Sequence, residues 1–273
     1  MPIELQFGTY IAKQATADDT RFTMLLWGMS GCGKSTLAST SPGEKLWIQF
    51  DPNALRPLIG TPENEHIATL DLSGENHNIV ERFKSTDPLG IERVLKSRTT
   101  IKTVVLDSAT SLALLSTENA VSHVKSATTE NPGMKGYGHR NAVTLAAITN
   151  IQRLCKRLGL NFVIIAHEDT PDKDAEGNTT GITLMLGGKM ANTLGVVLDE
   201  IWWMSSADAP NGQPKRMIAV RPMRMRAPIK TRMFDPSMVQ FEWKYDPTKS
   251  VGMRIDTWIE EWQKLRGARL LIK

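Results

Sequence analysis

Gly28-Met29-Ser30-Gly31-Cys32-Gly33-Lys34-Ser35-Thr36 decides the reading of this chain. The run fits G-x-x-x-x-G-K-[ST], a spacing with a direct physical meaning. Its glycines let the backbone wrap so that successive N–H groups face an anion. A helix predicted from about Lys34 adds its positive dipole end to the same point. Lys34 is placed to reach the β- and γ-phosphates of a nucleoside triphosphate, and Ser35 to put its hydroxyl on Mg²⁺. Gly28, Ser30, Gly31, Cys32, Gly33, Lys34, Ser35 and Thr36 are therefore the expected nucleotide-binding residues, with ATP and Mg²⁺ as ligands. Cys32 reads as a small filler of the loop rather than a nucleophile.

Working outward, the apolar run RFTMLLW at 21–27 predicts a buried strand feeding the loop, and a short helix follows to about residue 40. LWIQF at 46–50, TVVL at 103–106, NFVIIA at 161–166 and LDEIWWM at 198–204 read as further strands, with 66–72 a weaker one. Helical patterns fall at 78–97, split by Asp87-Pro88, and at 109–126, 141–158 and 256–265. Strands alternating with helices predict an α/β fold with a mostly parallel central sheet flanked by helices. The stretch 217–244 alternates apolar and polar residues and predicts antiparallel strands towards the C-terminus. The expected organisation is a leader at 1–20, one core at 21–250, and a helix with a tail at 251–273.

Composition fits this picture. The chain has 273 residues with 41% hydrophobic and 23% charged, so a packed core is expected rather than disorder. No apolar run is long enough for a membrane span. The start, MPIELQFGTY, has neither a basic nor an apolar signal region. Two cysteines, Cys32 and Cys155, do not make a disulfide framework, and a cytoplasmic location is expected.

A phosphate site needs a carboxylate on its metal side. Asp107 ends TVVLD at the tip of a buried strand, where it is expected to hold Mg²⁺ together with Ser35. Hydrolysis also needs a group that orients the attacking water. Asp51, just past LWIQF, and Glu168, after NFVIIAH, are candidates. His167 beside Glu168 is placed to contact the γ-phosphate.

These elements, in this order, resemble RecA-like ATPases. The closest likeness is to phage RecA-core-only proteins, the Sak-type single-strand-annealing recombinases, over about residues 20–235. The resemblance implies a RecA-like P-loop NTPase fold, ATP hydrolysis, self-assembly into a ring or filament with nucleotide at the subunit interface, and binding of single-stranded DNA. A single-strand-binding protein is a partner such a recombinase could recruit, and a phage-encoded protein would work in the bacterial cytoplasm. Lys230-Thr231-Arg232 is similar to the K-x-R element of RecA, RadA, KaiC and DnaB-type assemblies, which reaches a neighbour's nucleotide. His167 matches the polar sensor of that class, leading into one DNA-binding loop at about 168–187. The other would lie at about 126–140, with Lys135, Tyr137, His139 and Arg140.

The sequence also departs from the recombinase pattern. The glutamate expected as general base after the second strand is not evident, since LWIQFDPNA offers Asp51 and then Pro52. The 20 residues before the first strand point to rings or short oligomers rather than long filaments. A DnaB-like helicase or packaging motor, and a nucleotide-gated regulator, stay open as other readings.

The segment 213–234 carries seven cations and no acid. Arg224 and Arg226 alternate with Met223 and Met225, so a strand here would have one cationic face suited to a DNA backbone. A solvated edge strand protected by charge has the same composition. Trp243, Trp258 and Trp262 read as core or interface rather than as stacking platforms.

Overall fold

A computed structural model describes residues 4–7, 10–13, 21–125, 127–187, 190–208, 214–223, 226, 228–265 and 269–272. In chain order the strands and helices are β1 (Glu4–Phe7), β2 (Tyr10–Lys13), β3 (Thr23–Gly28), α1 (Lys34–Ser39), β4 (Glu44–Gln49), β5 (Ile67–Asp71), α2 (Ile91–Ser97), β6 (Ile101–Asp107), α3 (Ala109–His123), α4 (Gly133–Leu158), β7 (Asn161–His167), β8 (Asp172–Lys173), β9 (Thr179–Gly181), α5 (Met190–Val197), β10 (Glu200–Asp208), β11 (Pro214–Ala219), β12 (Gln240–Glu242), β13 (Tyr245–Asp246), β14 (Val251–Gly252) and α6 (Ile255–Lys264).

Eight strands form the central sheet in the order β12-β11-β10-β3-β7-β6-β4-β5. The six from β10 to β5 run parallel, while β11 and β12 add antiparallel at one edge. This is the mostly parallel α/β sheet with antiparallel C-terminal strands that the sequence predicts.

The sheet is buried on both faces, which is why its strands read as apolar runs rather than as alternation. Leu25, Trp27, Val104, Leu106, Phe162 and Ile164 point to one face, where they meet Leu112, Val143, Ile148 and Leu194 from α3, α4 and α5. Met24, Leu26, Val105, Val163 and Ile165 point to the other, against Leu37 and Ala38 of α1 and Trp258 and Ile259 of α6. Trp258 thus belongs to the core, stacked edge-on against Trp202 and Phe234.

Local structure departs from the sequence reading in three places. The long helix α4 begins at Gly133, so much of the expected 126–140 loop is helical. The expected loop at 168–187 contains the small β8–β9 hairpin. Between β11 and β12, the described residues are joined by single bridges, among them Met223 with Arg226 and Lys230 with Ile201, rather than by continuous strands. Among the described residues no helix is long and apolar enough to cross a membrane.

Candidate nucleotide site

The parallel strands β3, β6 and β7 end side by side, and their tips build a cleft of about 460 Å³. Its lining includes Ser30, Gly31, Gly33, Lys34, Ser35 and Thr36 from the glycine loop, Asp51 and Pro52 after β4, Asp107, His167 and Arg216. A crevice at the carboxyl ends of strands is where open α/β sheets take their ligands.

The loop geometry follows from its glycines. Gly28, Gly31 and Gly33 have φ of 145°, 78° and 99°, a region that other residues enter at a cost. Gly28 has a second constraint, because a Cβ there would collide with the carbonyl oxygen of Met204 on β10. Lys34 lies inside the loop it belongs to. Its Nζ donates to the carbonyls of Gly28 at 3.0 Å and Met29 at 2.6 Å, with Cys32 Sγ at 3.8 Å. Burial pushes the Cys32 thiol up, partly offset by Lys34, so the thiol stays protonated and inert.

Ser35 and Asp107 are brought together across 72 residues of sequence, Ser35 Oγ donating to Asp107 Oδ2 at 3.1 Å. Asp107 is only 2% exposed. Burial, with the negative charge of Asp51 added, pushes its carboxyl up to about 6, against the hydrogen bond from Ser35. A buried carboxylate beside a hydroxyl, lining one cleft with the glycine loop and Lys34, is an oxygen set that fits Mg²⁺ bound to a polyphosphate. Ser35 and Asp107 are the residues that would hold the ion. The peptide bond between Asp107 and Ser108 is cis.

Asp51 is the other acid of the cleft. Burial opposes its ionisation, but hydrogen bonds from His167, Ser111 and Ser108 win and hold its carboxyl below the usual range. His167 Nε2 lies 3.4 Å from Asp51 Oδ2, and Ser111 Oγ donates to Asp51 Oδ1. Ser108 caps α3 by accepting from the Ser111 N–H at 3.2 Å, which fixes Ser111 under Asp51. Thr110 Oγ1 accepts from the His167 N–H at 2.8 Å and ties β7 to the same helix start. Sequence reading missed Ser108, Thr110 and Ser111; DS-ATS following TVVL is a capping signature that could have marked them.

Other expected site residues lie elsewhere. Glu168 turns its carboxylate away from the cleft lining, accepting from Trp203 Nε1 at 2.7 Å, while its N–H bonds the Gly28 carbonyl. Lys230 and Arg232 flank the buried Thr231 near the start of β10. Lys230 bridges to Ile201, and Arg232 pairs with Asp199 at 3.1 Å. Ile201 is in register with Leu25 and Asp199 bonds Thr23, so both cations lie about 10–17 Å back along the sheet from the glycine loop. Lys135 and Tyr137 are exposed on the first turns of α4. His139 stacks on His123 and bonds Asn119, and Arg140 donates to the Leu186 carbonyl, so both hold elements together. Arg226 lies 4.3 Å over the Trp203 ring. Arg224 falls outside the described residues.

Fold and cleft together define a P-loop NTPase domain. Residues 20–227 match the AAA domain family, and the chain belongs to it. No curated protein matches the sequence.

Proposed function

We propose that this domain binds and hydrolyses ATP with Mg²⁺, assembles through its nucleotide sites, and binds single-stranded DNA to promote strand annealing in homologous recombination. The observation that carries the nucleotide part is the convergence of Lys34, Ser35, Asp107, Asp51 and His167 on one cleft. Mg²⁺, which Ser35 and Asp107 would hold, would supply neutralisation of phosphate charge. Lys34 neutralises phosphate charge by giving up its loop carbonyls. Asp51, kept ionised by its three donors, orients the attacking water and receives its proton. His167, 3.4 Å from that carboxylate and in the same cleft lining, would contact the γ-phosphate and report the nucleotide state to residues 168–187.

The DNA part rests on the resemblance to Sak-type recombinases, with Lys135 and Tyr137 exposed at the start of α4 as the expected contacts. The assembly part rests on the placement of Lys230 and Arg232. Set back from their own cleft, they support a role at another copy's nucleotide. The test is annealing of complementary oligonucleotides with ATP, ADP or no nucleotide, followed by electron microscopy of the products. ATP-dependent annealing on oligomeric protein is expected. Rapid, directional, DNA-stimulated turnover without annealing would point to a helicase or packaging motor. No salt-sensitive affinity for oligonucleotides would leave a nucleotide-gated regulator.

A further inference from the structure

Arg216 has no place in the glycine motif, yet it lines the same cleft as Lys34 and Ser35. The reason is register. β10 pairs with β3 up to Met204 opposite Gly28, then continues, and Arg216 on β11 faces Ser206 two residues beyond that level. At about 3.3 Å per residue the hairpin overhangs the glycine loop by some 7 Å. Its side chains alternate, so Lys215 turns out to Glu242 at 3.4 Å while Arg216 turns in.

Two contacts pin the arginine there. Its guanidinium lies 5.7 Å from the centre of the Trp243 ring, and Trp243 donates its backbone N–H to the Arg216 carbonyl at 2.9 Å. The loop fits closely beneath, since a Cβ on Gly33 would sit 2.9 Å from the Trp243 ring and 3.2 Å from Arg216 Cδ and Nε. Gly33 is thus favoured by φ and by the Trp243 ring, with Arg216 packed beside it. The Arg216 Nε is buried with no hydrogen-bond partner among the described residues. A cationic donor shielded from water and left unmatched is costly unless an anion completes it. Arg221 and Arg226 also have an unmatched Nε, but neither lines the cleft: Arg226 stacks on Trp203, and Arg221 donates from Nη2 to the Phe234 carbonyl at 2.8 Å.

We propose that Arg216 is an intrachain clamp on the polyphosphate of the bound nucleotide, held by the Trp243 ring and acting with Lys34 of the same subunit. This rests on the nucleotide reading above. It assigns the cleft a second cation that needs no neighbour, distinct from Lys230 and Arg232.

The test is equilibrium binding of a fluorescent ATP analogue to the full chain with Mg²⁺. Wild type should bind. Arg216→Ala should bind at least tenfold more weakly with an unchanged melting temperature, and Arg216→Lys should recover part of the loss. Mixing Arg216→Ala with excess Lys34→Ala protein should restore nothing, because the clamp is supplied by the subunit that holds the nucleotide. Arg216→Ala binding within twofold of wild type overturns the clamp while leaving the nucleotide site intact. Recovery on mixing overturns the intrachain assignment. Failure of wild type itself to bind sinks the nucleotide reading and the clamp with it.

Discussion

Lys34 and Gly28 show how much one position can carry. The Lys34 ammonium is the buried cation at the base of the loop, holding the Gly28 and Met29 carbonyls. Lys34→Ala removes the charge that phosphates would meet and leaves both carbonyls without that donor. Nucleotide affinity is expected to fall at least a hundredfold in calorimetric titration, and undiminished affinity would refute the assigned site. Gly28 tests the loop without touching charge. Its φ of 145° and the Met204 carbonyl leave no room for a side chain. Gly28→Ala should cost about 2–4 kcal/mol of stability, read by denaturant unfolding. An unchanged midpoint would mean that β3 and β10 do not approach as described.

At the scale of elements, the motif residues and the buried strands were legible because each is a local signal. An apolar run followed by glycines and Lys-Ser says strand, loop and helix within a dozen residues. Asp107 was legible for the same reason, as an acid ending an apolar strand. Arg216 was not, because its place depends on how far β10 and β11 continue beyond β3, and no short stretch encodes that register. The start of α4 was missed because Gly133, Gly136 and Gly138 read as turn residues, whereas the helix carries them. Gly136 there packs where a Cβ would press on Pro132 and Ala127.

Strand β4 also hides a charge that sequence alone would place outside. Lys45 is 3% exposed, and burial drags its amine down to about 8, with Asp256 pulling the other way. A lysine depressed by folding contributes full stability only above its unfolded value near 10.5, and loses it as pH falls through about 8. Lys45→Met should therefore raise the melting temperature at pH 7, by up to ~3 kcal/mol in free energy, and the gain should vanish near pH 11. A gain that is the same at both pH values would exclude burial of the charge as its cause.

For the whole molecule, the proposed assembly makes turnover depend on contact between copies. Arg232, with its side chain 67% exposed and paired to Asp199 at 3.1 Å, is the most accessible cation of the K-x-R element. Arg232→Ala should leave nucleotide affinity of dilute protein within twofold and lower ATP turnover at least tenfold at concentrations where copies associate. Equal turnover would remove the role in trans. The same placement bears on symmetry. The cleft opens at the Met204 level of β10 and the cations lie by its Glu200 end, so under the proposed role in trans one copy's base meets another copy's top. An antiparallel pair about a two-fold axis would complete both clefts at once, whereas a head-to-tail stack would leave its last cleft unfinished until a ring shuts. Activity per copy that levels off at the dimer would mark the first arrangement, and activity that climbs until ring closure the second.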